Sequence, residues 1–105
     1  MTITEIVDQL IDEGYRCAYD HFTEAVKLPF VIVLDDGTDN IFADNRVYRR
    51  RANVVIELYT RQSHQAEFEK FEQALEDIGL NWQCDSRSWI DDEKVMDSRY
   101  SISGY

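Results

Sequence analysis

A chain of 105 residues is long enough for a single domain with one hydrophobic core. Its 44% hydrophobic content excludes a disordered acidic tail, and its formal net charge of −10 argues against nucleic acid as the main ligand, because phosphates repel a net anion. There is no apolar run of roughly 20 residues to span a membrane, no signal-peptide pattern at the N-terminus, and no pairing pattern for Cys17 and Cys84. We therefore expect a soluble intracellular protein.

The N-terminal segment predicts an amphipathic helix. Thr2 and Glu5 have the spacing of a capping box, and Gly14 is placed to end the helix. Apolar residues recur at spacings of three and four, at Ile3, Ile6, Val7, Leu10 and Ile11. The following stretch, 15–27, fits either an extended piece or a short helical turn.

Two strands are predicted in the middle of the chain. The apolar run Phe30–Leu34, between Pro29 and the turn "DDGTDN", indicates a strand covered on both faces and therefore central in a sheet. The segment "IFADNRVYRR" fits a short strand or an extended arm. "ANVVIELYT" alternates as a strand, with Val54, Ile56 and Leu58 on one face and Val55, Glu57 and Tyr59 on the other.

A second helix is predicted from about Ser63, its N-cap, to Ile78, with Gly79 ending it. Its apolar stripe is Phe68, Phe71, Leu75 and Ile78, and its exposed side carries Glu67, Glu69, Glu72, Glu76 and Asp77. The remainder predicts a terminal hairpin packed through Trp82, Trp89, Met96, Tyr100 and Ile102. The order predicts one α+β domain over 1–105: a single layer of mostly antiparallel sheet, of about four to five strands, with two helices packed on one face.

No motif predicts catalysis. Cys17 and His21 are four apart and would share a face only if that segment were helical, and His64 is an ordinary first-turn residue. "DDGTDN" lacks the ligand spacing of a calcium loop, so a solvated hairpin turn is favoured. We predict no catalytic, cofactor-binding or metal-binding residue, and hence no enzyme.

The basic residues are strongly clustered: Arg46, Arg49, Arg50 and Arg51 lie within six positions. In a strand Arg49 and Arg51 point to one face and Arg50 to the other, which does not make one phosphate-reading stripe. Two interpretations stay open, namely solvated charges that protect a sheet edge, and ion pairs with the acidic side of helix 63–78 in another copy of the chain. The second predicts a subunit interface formed by Arg46, Arg49, Arg50, Arg51, Phe42 and Tyr48 with Glu67, Glu69, Glu72 and Glu76. Such a head-to-tail contact closes into a ring or grows into a filament.

From Leu28 onward the chain resembles the tail-terminator, or head–tail joining, proteins of long-tailed bacteriophages and prophages, a group of minor capsid or tail-completion proteins. The resemblance lies in the order of its segments: "PFVIV" before an acidic turn, "ADN-x-x-Y", "ELYT" before an amphipathic helix, "G-x-x-W" and a closing hairpin. It implies an α+β subunit that assembles with itself as a ring, usually of six, at the head-proximal end of the tail tube.

The same resemblance implies partners and location. The ring would stop tube polymerisation, contact the tail tube protein and the head connector protein, and let DNA pass through its lumen without specific binding. It would reside in the virion after assembly in the host cytoplasm, and it implies no cofactor and no reaction. An arginine cluster that faces the lumen and touches DNA is a variant of this interpretation. The alternatives from other classes are a small acidic inhibitor or DNA mimic of a mobile element, and a small hydrolase that uses Cys17 or a carboxylate pair.

Overall fold

The structure is a computed structural model that describes residues 1–38, 41–49, 52–62 and 64–103, without the side chains of residues 41–43, 47–49 and 52. Two helices and seven strands follow one another along this part of the chain. They are α1 (Ile3–Asp12), β1 (Arg16–Tyr19), β2 (Phe30–Thr38), β3 (Ile41–Ala43), β4 (Arg46–Arg49), β5 (Ala52–Thr60), α2 (Gln65–Asp77), β6 (Asn81–Ile90) and β7 (Val95–Ser103).

The strands form one main sheet in the order β1-β2-β5-β7-β6 and a separate two-stranded ribbon, β3-β4. Every pairing is antiparallel except that of β1 with β2, which is parallel. Both helices lie against one face of the main sheet. This confirms the predicted α+β class with a single, mostly antiparallel sheet.

The helix α1 begins as the sequence predicts. The Thr2 hydroxyl accepts a hydrogen bond from the Glu5 amide at 3.2 Å, and the Glu5 carboxylate accepts one from the Thr2 amide at 3.4 Å, so the capping box is complete. Gly14 follows the helix with a φ of +100°, a conformation that glycine adopts without strain. Of the two possibilities for 15–27, the extended one is right for β1, and the chain then runs irregularly to Phe30.

The core lies between the helices and alternate residues of the central strands. Val31 and Val33 of β2 pack there with Ile6 of α1 and Phe68 and Phe71 of α2. The members of β5 that join them are the three predicted for that face, Val54, Ile56 and Leu58.

The prediction that β2 is fully covered on both faces is wrong. Phe30, Ile32 and Leu34 face away from the helices and are only half-buried. Their cover is aromatic, since the Phe30 ring meets Phe22 edge-on at 5.5 Å and stacks on Tyr59 at 4.8 Å. An apolar run has the same sequence whether a helix or a few loop side chains cover its second face.

The ribbon formed by β3 and β4, residues 41–49, is called the arm here. Ala43 pairs with Arg46 across a turn at Asp44 and Asn45, which both have positive φ, as a two-residue hairpin turn of type I′ requires. The last pairing between β2 and β5 joins Thr38 to Ala52, so the arm follows that end of the main sheet. The molecule measures 49 × 29 × 26 Å along its principal axes.

Within the described part of the chain, neither helix has the length and apolar character needed to cross a membrane.

Candidate functional site

The arm carries the described part of the arginine cluster. Arg46 is exposed beside the turn, and Arg49, at the other end of β4, pairs through its backbone with Ile41. Arg50 and Arg51 lie outside the described residues, as do the side chains of Phe42, Tyr48 and Arg49. The backbone therefore places Arg46 and Arg49 on a ribbon of their own rather than inside the main sheet.

The acidic side of α2 differs from its prediction at one position. Glu69 and Glu76 are exposed and Glu67 is half-buried, but the Glu72 side chain retains only 13% exposure. Its carboxylate accepts hydrogen bonds from Arg87 at 2.9 Å and from the Tyr100 hydroxyl at 2.8 Å, so its predicted place on the outward face is wrong. Glu72 adjoins the apolar stripe of the helix, and partners on β6 and β7 hold it against the sheet.

Arg87 completes this inward network, which the sequence analysis missed. Its guanidinium lies 4.1 Å from the centre of the Phe68 ring and donates a hydrogen bond to the Cys84 sulfur at 2.7 Å. Burial, and then the hydrogen bond to Glu72, raise the pKa of Tyr100, which therefore stays protonated as a donor. The network joins α2 to β6 and β7, and alternating hydropathy gives no sign of it.

The start of α2 also shifts from the prediction. The helix begins at Gln65 with His64 at the N-cap, whose side chain makes no capping hydrogen bond. Ser63, the predicted cap, lies outside the described residues.

The Cys17–His21 pair of the hydrolase alternative lies on strand and loop rather than on a helix. Cys17 is a buried residue of β1, and burial raises the pKa of its thiol to about 12, so the thiol is protonated at neutral pH. His21 is exposed, and its Nδ1 lies 2.9 Å from the Asp20 carboxylate. Neither residue has the surroundings of an activated nucleophile.

The prediction of a turn at "DDGTDN" is wrong for Asp35–Thr38, which continue β2 with an irregular register against β5. The Asp35 carboxylate accepts a hydrogen bond from the Gly37 amide at 3.1 Å, and Gly37 has a φ of +85°. Asp39 and Asn40 lie outside the described residues. Among the described side chains, no group of three or more His, Cys, Asp or Glu residues could hold a metal ion.

A groove of about 450 Å³ lies on the sheet face opposite the helices, and no sequence pattern predicted it. Phe22 and Phe30 give it an aromatic lining, and its rim includes the exposed carboxylates of Glu24 and Glu93. The lining residues are Phe22, Glu24, Ala25, Val26, Phe30, Ile32 and Glu93. The groove thus has an aromatic lining and an acidic rim.

Beside the groove, two carboxyl groups meet on neighbouring strands. Glu57 and Asp97, called the carboxyl pair, lie next to Tyr59, whose hydroxyl donates a hydrogen bond to Glu57 at 3.2 Å. Arg99 stands on the far side, 3.7 Å from Glu57 and 3.8 Å from Asp36. The predicted alternation of β5 placed Glu57 and Tyr59 on one face, but the register with β7 was needed to find Asp97 opposite Tyr59.

Burial of Asp97 dominates the electrostatics of this pair. Burial, and then the hydrogen bond and the charge of Glu57, raise the pKa of Asp97 to about 7. Asp97 Oδ1 is buried without a hydrogen-bond partner in the described part of the chain. Burial and the neighbouring Asp97 and Glu57 charges also raise the pKa of Tyr59. Near neutral pH, then, Asp97 is poised between its two protonation states.

The arm and the groove lie at opposite ends of the β2–β5 pair. The pairing of Thr38 with Ala52 marks the arm end, whereas that of Phe30 with Tyr59 marks the groove end. A rise of about 3.3 Å per residue puts about 20 Å between Ile32 and Thr38. The arm and the groove thus join the β2–β5 pair at points about 20 Å apart.

Comparison with known proteins assigns no family to the chain: no family model matches it, and no curated protein has a matching sequence.

Proposed function

We propose that this protein is a structural protein of a long-tailed bacteriophage or prophage, a tail terminator. In this role it forms a ring at the head-proximal end of the tail tube, ends tube polymerisation and joins the tail to the head. The sequence resemblance from Leu28 onward supports the proposal, and the order of helices and strands is compatible with it. The observation that carries the proposal is the arm, a ribbon outside the main sheet with exposed Arg46 on a chain of net charge −10.

Such an arm is suited to contacts between subunits. Arginine forms bidentate pairs with carboxylates and also stacks on aromatic rings, which makes it effective at protein interfaces. A contact that joins the arm of one subunit to a different surface of the next is heterologous, so repetition gives a ring when the rotation closes. The ring then has the tail tube protein and the head connector protein as its partners on opposite sides.

The acidic character of the subunit suits a channel for DNA. Affinity for nucleic acid comes mainly from Lys and Arg side chains that neutralise phosphates. A lumen that is acidic overall would let the genome pass without binding it. We therefore propose that DNA crosses the ring without specific contacts, and that the arginines serve subunits rather than phosphates.

The alternative is a small acidic inhibitor or DNA mimic, which the net charge of −10 favours. The arm speaks against it, because a mimic of a phosphate array would not display exposed Arg46 on a ribbon of its own. Binding to a basic nuclease, abolished by high salt, would support this alternative.

The test of the terminator is tube capping. The tube protein from the same phage or prophage genome is polymerised with and without this protein, and tube length is measured by electron microscopy. We expect the protein at one end of the tubes only, with growth arrested there. Unchanged tube lengths, with no protein at the ends, would contradict the proposal.

A matched variant makes the capping test specific to the arm. Arg46→Glu changes an exposed arm residue and should abolish arrest, whereas Arg16→Glu, the same charge change on β1, should retain it. Equal loss in both variants would indicate a general effect of charge instead.

A further inference from the structure

We propose that the groove is the receptor for the arm of a second copy of this chain, so that the arginines of one subunit enter the acidic, aromatic groove of the next. This inference rests on the proposed function, which requires self-assembly, and it names the two surfaces that meet. It replaces the acidic face of α2, which the sequence analysis predicted for that role.

The groove has the chemistry that a guanidinium group needs. Arginine side chains stack on aromatic faces and accept carboxylate partners at the same time. Phe22 and Phe30 line the groove with their rings edge-on, and Tyr59, outside the lining, stacks on Phe30 with ring centres 4.8 Å apart. Glu24 and Glu93 are exposed on the rim, where an incoming cation can reach them.

The carboxyl pair adds negative charge next to these aromatic rings. Glu57 and Asp97 lie beside Tyr59, and Arg99 is the cation that faces them, from β7, at 3.7 Å from Glu57. Burial raises the pKa of Asp97 to about 7 in the free subunit. An arriving guanidinium favours the ionised form of Asp97 and so lowers this pKa. Docking should therefore strengthen as the pH rises from about 6 to about 8.

The distribution of basic residues in the sequence favours the arm as the segment that occupies the groove. Of the eleven basic residues, four fall between positions 46 and 51. Three others already have carboxylate partners inside the subunit: Arg87 with Glu72, Lys94 with Asp91, and Arg99 with Asp36 and Glu57. The arm, together with the two residues that follow it, is therefore the densest positive segment of the sequence.

Two features favour the groove of another copy over the groove of the same subunit and over the acidic face of α2. The last described pairing before the arm, Thr38 with Ala52, lies about 20 Å along the strand pair from Ile32 in the groove of the same subunit. On α2, the Glu72 carboxylate is turned inward, and Glu76 accepts a hydrogen bond from the Trp82 indole at 3.2 Å. The groove of another copy is therefore a better receptor for the arm than the groove of the same subunit or the acidic face of α2.

The experiment uses two full-length variants that each lose one half of the contact. The arm variant is Arg46→Gln with Arg49→Gln, and the groove variant is Glu24→Lys with Glu93→Lys. Each alone should associate at least about tenfold more weakly than the wild type, measured by sedimentation velocity and native mass. An equimolar mixture should give a discrete heterodimer, because only the arm of the groove variant and the groove of the arm variant still fit.

The control is Glu69→Lys with Glu76→Lys on α2, which changes the net charge as much as the groove variant does. It should associate like the wild type, and the chain that combines the arm and groove changes should show no self-association, since it has lost both halves of the contact. Circular dichroism of each variant checks that it is folded. A wild type that is monomeric up to about 1 mM, a mixture without heterodimer, or loss of association in the α2 control alone would each overturn the inference.

Tube capping by the same proteins separates this inference from the proposed function. A wild type that caps tubes, together with mixed variants that form no heterodimer, would refute the arm–groove contact and leave the terminator supported. A heterodimer from the mixture with no capping by the wild type would refute the terminator and leave the contact standing.

Discussion

Among single residues, Glu72 has a large expected effect on stability. Its carboxylate accepts hydrogen bonds from Arg87 and Tyr100, and Glu72→Ala would leave a half-buried guanidinium without its partner. We expect the free energy of unfolding to fall by about 2–4 kcal/mol, measured by urea denaturation. The matched change Glu69→Ala, at an exposed position of the same helix, should cost no more than about 0.5 kcal/mol. Equal losses in the two variants would show that Glu72 acts only through helix propensity.

Asp97 gives the protein a specific dependence of stability on pH. Its pKa is about 7 in the folded protein and about 3.9 in an unfolded chain, so between these values the folded state holds the proton more tightly. The stabilisation is complete below about pH 4 and is lost as the pH rises through about 7. Asp97→Asn imitates the protonated form and should raise the free energy of unfolding at pH 8 by about 1–2 kcal/mol, a value reduced for the partial exposure of the group.

Urea midpoints of the wild type and Asp97→Asn at pH 5 and pH 8 check this expectation. The difference between the two proteins isolates Asp97 from the other carboxylates of the chain. If the urea midpoints of the wild type and Asp97→Asn change by the same amount between pH 5 and pH 8, then Asp97 is not the group responsible for the pH dependence.

The same two residues show what the sequence could not predict. Glu72 was placed outward because a glutamate next to an apolar stripe is usually solvated, and only the position of Arg87 on β6 reverses that. Asp97 meets Glu57 and Tyr59 through the register of β5 with β7, and registers between strands that are distant in the chain have no local signal. Residues that depend on long-range pairing are therefore the ones that sequence analysis misplaced or missed.

The elements themselves were easier to predict where their signals are local. The helix α1 carries its capping box and its apolar spacing within its own residues, and the β6–β7 hairpin joins two strands that are adjacent in the chain. The four-residue strand β1 is defined by parallel pairing with β2, so the stretch 15–27 stayed ambiguous. The groove was missed for the same reason, since the irregular segment that contains Phe22 and Glu24 forms a wall only after it meets Phe30 and Glu93.

The arm should be separable from the rest of the fold. In the described part of the chain its two strands pair with each other and with no strand of the main sheet, and Thr38 faces Ala52 directly across the strand pair. Replacement of residues 39–51 by an Asn-Gly turn should therefore change the free energy of unfolding by less than about 1 kcal/mol, measured in urea. Self-association should be lost in the same variant.

A Gly/Ser linker of the original length is the control for this replacement. It should lose association as well, because it restores the length of the segment without the arginines. Unfolding of the main sheet after the replacement would show instead that the arm is part of the folded unit.

At the scale of the whole molecule, two opposing charge effects meet. The net charge of −10 repels copies from one another, while the basic arm and the acidic groove attract at short range. If arm–groove pairs hold the assembly, then an increase from about 0.1 to about 0.5 M salt should weaken association, because their partly exposed charges are screened. Sedimentation velocity at both salt concentrations measures this, and stronger association at high salt would mean that general repulsion or apolar contact dominates.

The location of the arm and the groove at opposite ends of the β2–β5 pair also has a genetic consequence. A subunit that loses its arm but keeps its groove can join an assembly once and then cannot pass the connection on. Such a subunit would prevent the ring from closing even when most of the subunits are normal. Arg46→Glu, expressed from a plasmid in cells that also produce the normal protein, is therefore expected to be dominant over it.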